Sequence, residues 1–146
     1  MSSQIEPEVK RFVLDSWAML AYLQSEPGHE RILELLRQAE DGGCGLAMTW
    51  VNLGEVLYIV ERERGLSAAQ NVLAQALGLP VEMIDADRNL VLAASHLKAR
   101  LPISYADCFV LALAQLKKAV VLTGDPEFKK AEGKFSVEWL NNADVA

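Results

Sequence analysis

Four acidic residues lie where a fold could bring their side chains together. They are Asp15, Glu55, Asp107 and Asp125, and each follows an apolar strand-like run or lies early in an apolar stripe of helical spacing. Carboxylates in one crevice repel one another and raise each other's pKa unless a positive charge lies between them. Oxygen ligands suit a hard divalent ion such as Mg²⁺ or Mn²⁺, whereas zinc prefers histidine and cysteine ligands. The four acids therefore predict metal-assisted chemistry if they meet.

Each acid also has a purely structural interpretation. Aspartate is favoured at helix N-caps, and a negative charge near a helix start contributes about 0.3–1 kcal/mol. Three patterns fit helix starts of this kind: Ser104-x-x-Asp107, Asn52-x-x-Glu55 and Asp125-Pro126. A fifth acid, Asp85, also ends an apolar run. Residue types alone leave open why the first four acids should act together and this one should not.

Apolar periodicity, interrupted by glycine and proline, predicts the elements that would position these acids. Short strands are predicted at residues 11–14, 44–48, 81–84, 119–122 and 136–140. Helices are predicted at residues 16–24, 30–39, 49–64, 67–77, 87–99 and 104–117, with a short helix after the turn at 123–126. The helix at 104–117 is apolar on nearly every side, which predicts that it is deeply buried.

Short strands that alternate with helices predict an α/β fold, in which crossover helices join parallel strands and cover both faces of the sheet. The carboxyl ends of parallel strands share one edge. Ligands bind in the crevice along that edge, where helix N-termini also point. A functional site is therefore expected there.

Size and composition favour one ordinary globular domain. The chain has 146 residues, of which 51% are hydrophobic, and the predicted elements place this domain at residues 11–140 with tails at 1–10 and 141–146. The first ten residues lack a secretory pattern and no apolar run approaches the roughly 20 residues of a membrane span, so a cytoplasmic location without a membrane partner is expected. The net charge of -6 gives no general attraction for nucleic acid.

Four segments taken together resemble the PIN domain family, and most closely its VapC-like toxins of type II toxin–antitoxin systems. They are residues 12–16 (FVLDS), 52–58 (NLGEVLY), 105–109 (YADCF) and 122–128 (LTGDPEF), and the likeness runs from about residue 12 to residue 140. Each motif is weak alone, but four in order and in register are fairly specific. The resemblance implies a three-layer α/β/α sandwich around a central, mainly parallel sheet of four to five strands.

The resemblance also implies roles for individual residues. Asp15, Glu55, Asp107 and Asp125 match the acids that hold Mg²⁺ or Mn²⁺ in the family, and Thr123 matches a hydroxyl that helps to position metal or water. The strand that bears Asp85 is expected at the outer edge of the sheet. That acid is therefore expected to cap a helix and not to bind metal.

The activity implied by the resemblance is that of an Mg²⁺- or Mn²⁺-dependent endoribonuclease, a hydrolase that leaves a 5′-phosphate and a 3′-hydroxyl. A toxin of this kind would act on RNA, pair with a small antitoxin protein and form a homodimer. Three alternatives remain: a PIN nuclease for RNA processing without a toxin role, a non-catalytic PIN-like interaction module, and a phosphoacceptor receiver or phosphatase. The last is disfavoured because Asp15 is followed by Ser16-Trp17 and not by a second acid.

Two other features bear on substrate binding. Trp17, Trp50 and Gly124 differ from the residues most common at these positions in the family. A tryptophan at the rim of the site could either stack on an RNA base or fill the core. Basic residues are concentrated near Asp125, where they could hold phosphates or form a solvated face. They are Lys117, Lys118, Lys129, Lys130 and Lys134, with Arg62 and Arg64 as possible additions.

Overall fold

The computed structural model of the protein describes residues 9–140, so the predicted C-terminal tail and most of the N-terminal one lie outside the described residues. The strands are β1 Lys10–Leu14, β2 Cys44–Thr49, β3 Glu82–Ile84, β4 Val120–Thr123 and β5 Val137–Trp139. The helices are α1 Ser16–Leu23, α2 His29–Glu40, α3 Trp50–Arg64, α4 Leu66–Leu77, α5 Arg88–Lys98 and α6 Tyr105–Lys117, and a 3₁₀ helix spans Pro126–Ala131. All the predicted elements are present, with boundaries that differ by a few residues at most.

The strands form one parallel sheet in the order β3-β2-β1-β4-β5. In its register Val13 lies beside Ala47 of β2 on one side and beside Val121 of β4 on the other. The central position of β1 places the residue that follows it at the middle of the carboxyl edge. β3 is an outermost strand, as the resemblance implied for the strand that precedes Asp85.

Helices cover both faces of the sheet and enclose two apolar cores. Phe12 and Leu14 of β1 point into the core under α1–α4, whereas Val13 points into the core under α5, α6 and the 3₁₀ helix. This alternation follows from the two-residue period of a strand. The protein is therefore a three-layer α/β/α sandwich, and the predicted fold class is confirmed.

The central helix of the second face is α6. All its residues from Asp107 to Ala114 are buried, as its apolar sequence predicted. None of the helices between residues 9 and 140 combines the length and the hydrophobicity needed to cross a bilayer. Both cysteines, Cys44 and Cys108, are free and buried.

Two of the predicted helix caps are wrong, although both helices begin within one residue of the predicted start. Asp85 does not cap α5; Asp87 does, because its carboxylate accepts a hydrogen bond from the backbone N–H of Leu90 at 2.9 Å. Likewise α3 is capped by Thr49, whose hydroxyl accepts the N–H of Asn52 at 3.1 Å. In both cases the capping residue lies a few residues from the predicted one, because several polar residues compete for each helix start.

Candidate functional site

Asp15 lies at the centre of the carboxyl edge, directly after β1. It caps α1, because its Oδ1 accepts the N–H of Ala18 at 2.8 Å, and its Oδ2 accepts a short hydrogen bond from the hydroxyl of Thr123 on β4. The residue is only 1% exposed. The side chain of Asp15 is therefore fixed between two elements and has almost no contact with water.

Thr123 connects Asp15 with a second acid, Asp125. The hydroxyl of Thr123 is fully buried and also accepts the backbone N–H of Asp125 at 2.9 Å. Asp125 in turn caps the 3₁₀ helix by accepting the N–H of Glu127 at 2.9 Å, with Pro126 at the first helical position as predicted. The hydroxyl thus sets the spacing between the ends of two adjacent strands.

Asp107 approaches the same edge from the first turn of α6. Ser104 caps this helix by accepting the N–H of Asp107 at 3.1 Å, as the capping pattern predicted. The reciprocal half of a capping box is made differently, since the N–H of Ser104 donates to Glu127 Oε1 at 2.8 Å. The N–H of Ser104, which a capping box would pair with the acid three residues later, is therefore bonded to Glu127 and not to Asp107.

Glu55 reaches the edge from α3, one turn beyond the buried Asn52. The amide of Asn52 donates to the carbonyl of Ala106 at 3.0 Å and so ties the first turn of α3 to the first turn of α6. Glu55 Oε1 is buried, and it has no hydrogen-bond partner within residues 9–140. An unpaired buried carboxylate oxygen is costly unless water or a cation contacts it.

The charges of these acids act on one another. Burial, opposed by the hydrogen bonds from Thr123 and Ala18 and aided by the negative charges of Asp107 and Asp125, raises the pKa of Asp15 to about 8. Burial also raises the pKa of Asp107 to about 7, with the bond to Ser104 opposing and nearby carboxylates adding to the rise. Those carboxylates belong to Asp125, Glu55 and Glu127. The fold therefore brings all four predicted acids into one electrostatic group.

The donor set of this group fits a hard divalent cation. Carboxylate oxygens are what Mg²⁺ and Mn²⁺ prefer, and the unpaired Glu55 oxygen and the raised pKa values of Asp15 and Asp107 are what carboxylates show without a counter-charge. In the conformation described for residues 9–140, no group of three or more acidic, histidine or cysteine side chains is arranged to hold a metal ion.

Sequence reasoning missed Glu127 as a member of the group. Its charge acts on Asp107, and its carboxylate contacts the helix that carries this acid. The available signal was its place two residues after Asp125 in the segment 122–128. The sequence indicates only that Glu127 contributes a favourable negative charge to the first turn of a helix. Its contact with Ser104 could not be seen there, because the two residues are 23 positions apart.

Trp17 and Gly124 both differ from the residues most common in the family, and the two residues contact each other. A Cβ atom at Gly124 would lie 2.3 Å from the Cη2 and Cζ2 atoms of the Trp17 ring, so the ring packs against the loop between Thr123 and Asp125. Trp17 is half-buried and also packs on the core under α1–α4. These contacts favour the core interpretation for Trp17, whereas Trp50 is 37% exposed at the start of α3.

We expect Gly124→Ala to destabilise the protein by about 1–3 kcal/mol, because the added methyl group overpacks the Trp17 ring. Urea unfolding measures this free energy. Trp17→Leu in the same background should recover part of it, so the two changes should be non-additive in a double-mutant cycle. Gly54→Ala is the matched control: a Cβ at this helical glycine meets nothing within 4 Å, and the change should stabilise by up to about 1 kcal/mol. Equal effects at the two glycines would contradict the packing argument.

The predicted basic cluster is divided by the fold. Lys117 ends α6 at the edge where the strands begin, where it forms an ion pair with Glu82 at 3.2 Å, and Lys118 follows it. Lys129 and Lys130 lie on the 3₁₀ helix that follows Asp125, at the acidic edge. Strand β4 crosses the sheet between Lys118 and Lys129, so lysines that are close to Asp125 in sequence lie at two opposite edges of the sheet.

These features define a class of protein: a three-layer α/β domain with an acidic site at the carboxyl edge of a parallel sheet. The sequence matches the PIN domain over residues 12–134, and the chain belongs to the PIN domain family. Comparison with curated proteins gives no match.

Solved structures of low sequence identity share the fold. VapBC from Salmonella typhimurium, bound to DNA, is similar with a TM-score of 0.70 and 20% identity over 91% of this chain and 99% of that one. VapBC2 from Rickettsia felis, bound to a DNA fragment from its promoter, has a TM-score of 0.69 and 19% identity over 88% of this chain and 97% of that one. VapC20 from Mycobacterium tuberculosis, a toxin that cleaves the sarcin–ricin loop, has a TM-score of 0.65 and 18% identity over 83% of this chain and 95% of that one.

Proposed function

We propose that this protein is an Mg²⁺- or Mn²⁺-dependent endoribonuclease that serves as the toxin of a type II toxin–antitoxin pair. The observation that carries the proposal is the group of interacting carboxylates at the carboxyl edge, with one buried Glu55 oxygen unpaired. Such an arrangement is costly for stability and is expected where a site is built for a cation. Membership of the PIN domain family supports the nuclease assignment.

Asp15 and Asp107 would hold the ion directly, because they are the most buried of the four acids. Glu55 and Asp125 would complete the site directly or through water, and Thr123 would keep Asp15 oriented by the hydrogen bond to Oδ2. The bound ion would supply a lowered pKa for water and a counter-charge for phosphate oxygens. The residues of the chain would orient both around the scissile phosphodiester bond.

RNA must approach an acidic protein, and the charge of the edge opposes this until cations are bound. Lys129 is exposed on the 3₁₀ helix beside Asp125, and in this proposal it would contact a phosphate. Trp50, also exposed, begins the helix that carries Glu55 and could stack on an unpaired base. In this proposal hydrolysis leaves a 5′-phosphate and a 3′-hydroxyl.

The toxin role has separate support. Solved structures with the same fold come from VapBC toxin–antitoxin complexes, so a small antitoxin protein that covers the acidic edge is the proposed partner. A homodimer and a cytoplasmic location belong to the same proposal. An RNA-processing nuclease would use the same residues without such a partner.

Expression of the chain alone, and together with any small reading frame adjacent to its gene, tests the proposal. We expect growth arrest and RNA cleavage that the neighbouring frame relieves. In vitro, purified protein should cleave RNA with Mn²⁺ and lose this activity with EDTA. Cleavage without growth arrest would favour a processing nuclease, and absence of cleavage over many RNAs would favour a non-catalytic module.

A further inference from the structure

The segment just before α6 is held by three side chains at three consecutive residues. Lys130 Nζ donates to the carbonyl of Pro102 at 3.1 Å, Lys98 Nζ donates to the carbonyl of Ile103 at 2.8 Å, and Glu127 Oε1 accepts the N–H of Ser104 at 2.8 Å. Such bonds to charged side chains are stronger than those between neutral groups. This short segment is therefore fixed along its whole length.

Two of the three contacts come from the 3₁₀ helix. Glu127 and Lys130 are three residues apart, and side chains at this spacing share one face of a 3₁₀ helix. Their opposite charges meet opposite backbone groups, the N–H of Ser104 and the carbonyl of Pro102. The 3₁₀ helix thus presents an acceptor to the N–H and a donor to the carbonyl of the segment before α6.

The elements joined in this way carry two of the acids. Asp125 caps the 3₁₀ helix through the N–H of Glu127, and Ser104 caps α6 through the N–H of Asp107. A continuous path of hydrogen bonds therefore runs from Asp125 through Glu127 and Ser104 to Asp107. No other contact described for residues 9–140 joins these two acids by side-chain hydrogen bonds in so few steps.

We propose that Glu127 is a positioning residue for the cation site: by bonding the N–H of Ser104 it sets the separation between Asp125 and Asp107. Lys130 supports the same contact from the next turn. This proposal rests on the proposed function, because it assigns Glu127 to the same site. Partners of this kind orient metal ligands, and their loss typically lowers metal affinity by about 10–100-fold.

The test compares Glu127→Ala with Glu127→Gln, which keeps a carbonyl oxygen as acceptor but has no charge. Calorimetry with Mn²⁺ should show affinity at least about tenfold weaker for the alanine variant and within about threefold of wild type for the glutamine variant. Glu132→Ala is the matched control, because Glu132 follows the same helix and its carboxylate accepts the indole N–H of Trp139 on β5 at 2.9 Å. Its Mn²⁺ affinity should be unchanged.

Amide hydrogen exchange in metal-free protein gives a second readout. The amide of Ser104 should exchange faster in Glu127→Ala than in wild type and in Glu127→Gln. Equal loss of Mn²⁺ affinity in both variants would show that the charge and not the bond matters, and would overturn the proposal, as would an unchanged alanine variant. Faster exchange in a protein whose wild type takes up no Mn²⁺ would instead refute the proposed function and leave the contact between Glu127 and Ser104 established.

Discussion

Replacement of Asp107 by asparagine is expected to abolish RNA cleavage and Mn²⁺ uptake while it stabilises the metal-free protein. Asp107 is 7% exposed, and burial together with neighbouring carboxylates raises its pKa to about 7, so at pH 8 the folded state holds a charge that its surroundings disfavour. Asparagine removes this charge and keeps the backbone N–H that Ser104 accepts. We expect the free energy of unfolding in EDTA to rise by about 1–3 kcal/mol at pH 8.

The same variant should lose metal affinity. Mn²⁺ affinity should fall by more than the roughly 10–100-fold that loss of an indirect partner causes, because Asp107 is assigned as a direct ligand. Urea unfolding in EDTA and calorimetry with Mn²⁺ measure the two effects. Asp85→Asn is the matched control, since Asp85 is exposed after the outermost strand β3, and neither quantity should change. Full cleavage by the Asp107 variant would refute the assignment.

The fold could be predicted from the sequence because its signals are local. Apolar periodicity marks each strand and helix, and alternation of the two implies a parallel sheet. The uninterrupted apolar face of α6 predicted its burial, and residues from Asp107 to Ala114 are all buried. Physical reasoning alone could not separate Asp15 from Asp85, since both follow strands. The two acids differ in their place in the strand order, because β1 is central and β3 is outermost. Only the family resemblance predicted this order from the sequence.

Contacts between distant segments were not predictable in this way. The bond between Glu127 and the N–H of Ser104 joins residues far apart in sequence, and no periodic pattern encodes it. The same limit explains the basic cluster. Lys117 and Lys129 are near each other in the chain, but a strand crosses the sheet between them, so proximity in sequence did not mean proximity in space. Short-range patterns determine the elements, whereas strand order and packing determine which side chains meet.

The stability of the metal-free protein should fall as pH rises from about 5 to 8.5. The pKa values of Asp15 and Asp107 lie near 8 and 7 in the folded protein, against a usual value of 3.8, so the folded state binds more protons than the unfolded state in this window. Stability therefore decreases with increasing pH through these values and levels off above them. We expect a loss of at least about 2 kcal/mol over this range in urea unfolding with EDTA.

Mn²⁺ should reverse this trend, because it binds the ionised carboxylates and competes with protons for them. Saturating Mn²⁺ should therefore stabilise the protein strongly at pH 8.5 and little at pH 5, whereas Asp107→Asn should show a shallower pH dependence in EDTA, since one of the two shifted groups is gone. Asp85→Asn should follow the wild-type curve. If the metal-free protein were instead more stable at pH 8.5 than at pH 5, Asp15 and Asp107 would ionise without cost, and the physical reason for placing a cation between them would disappear.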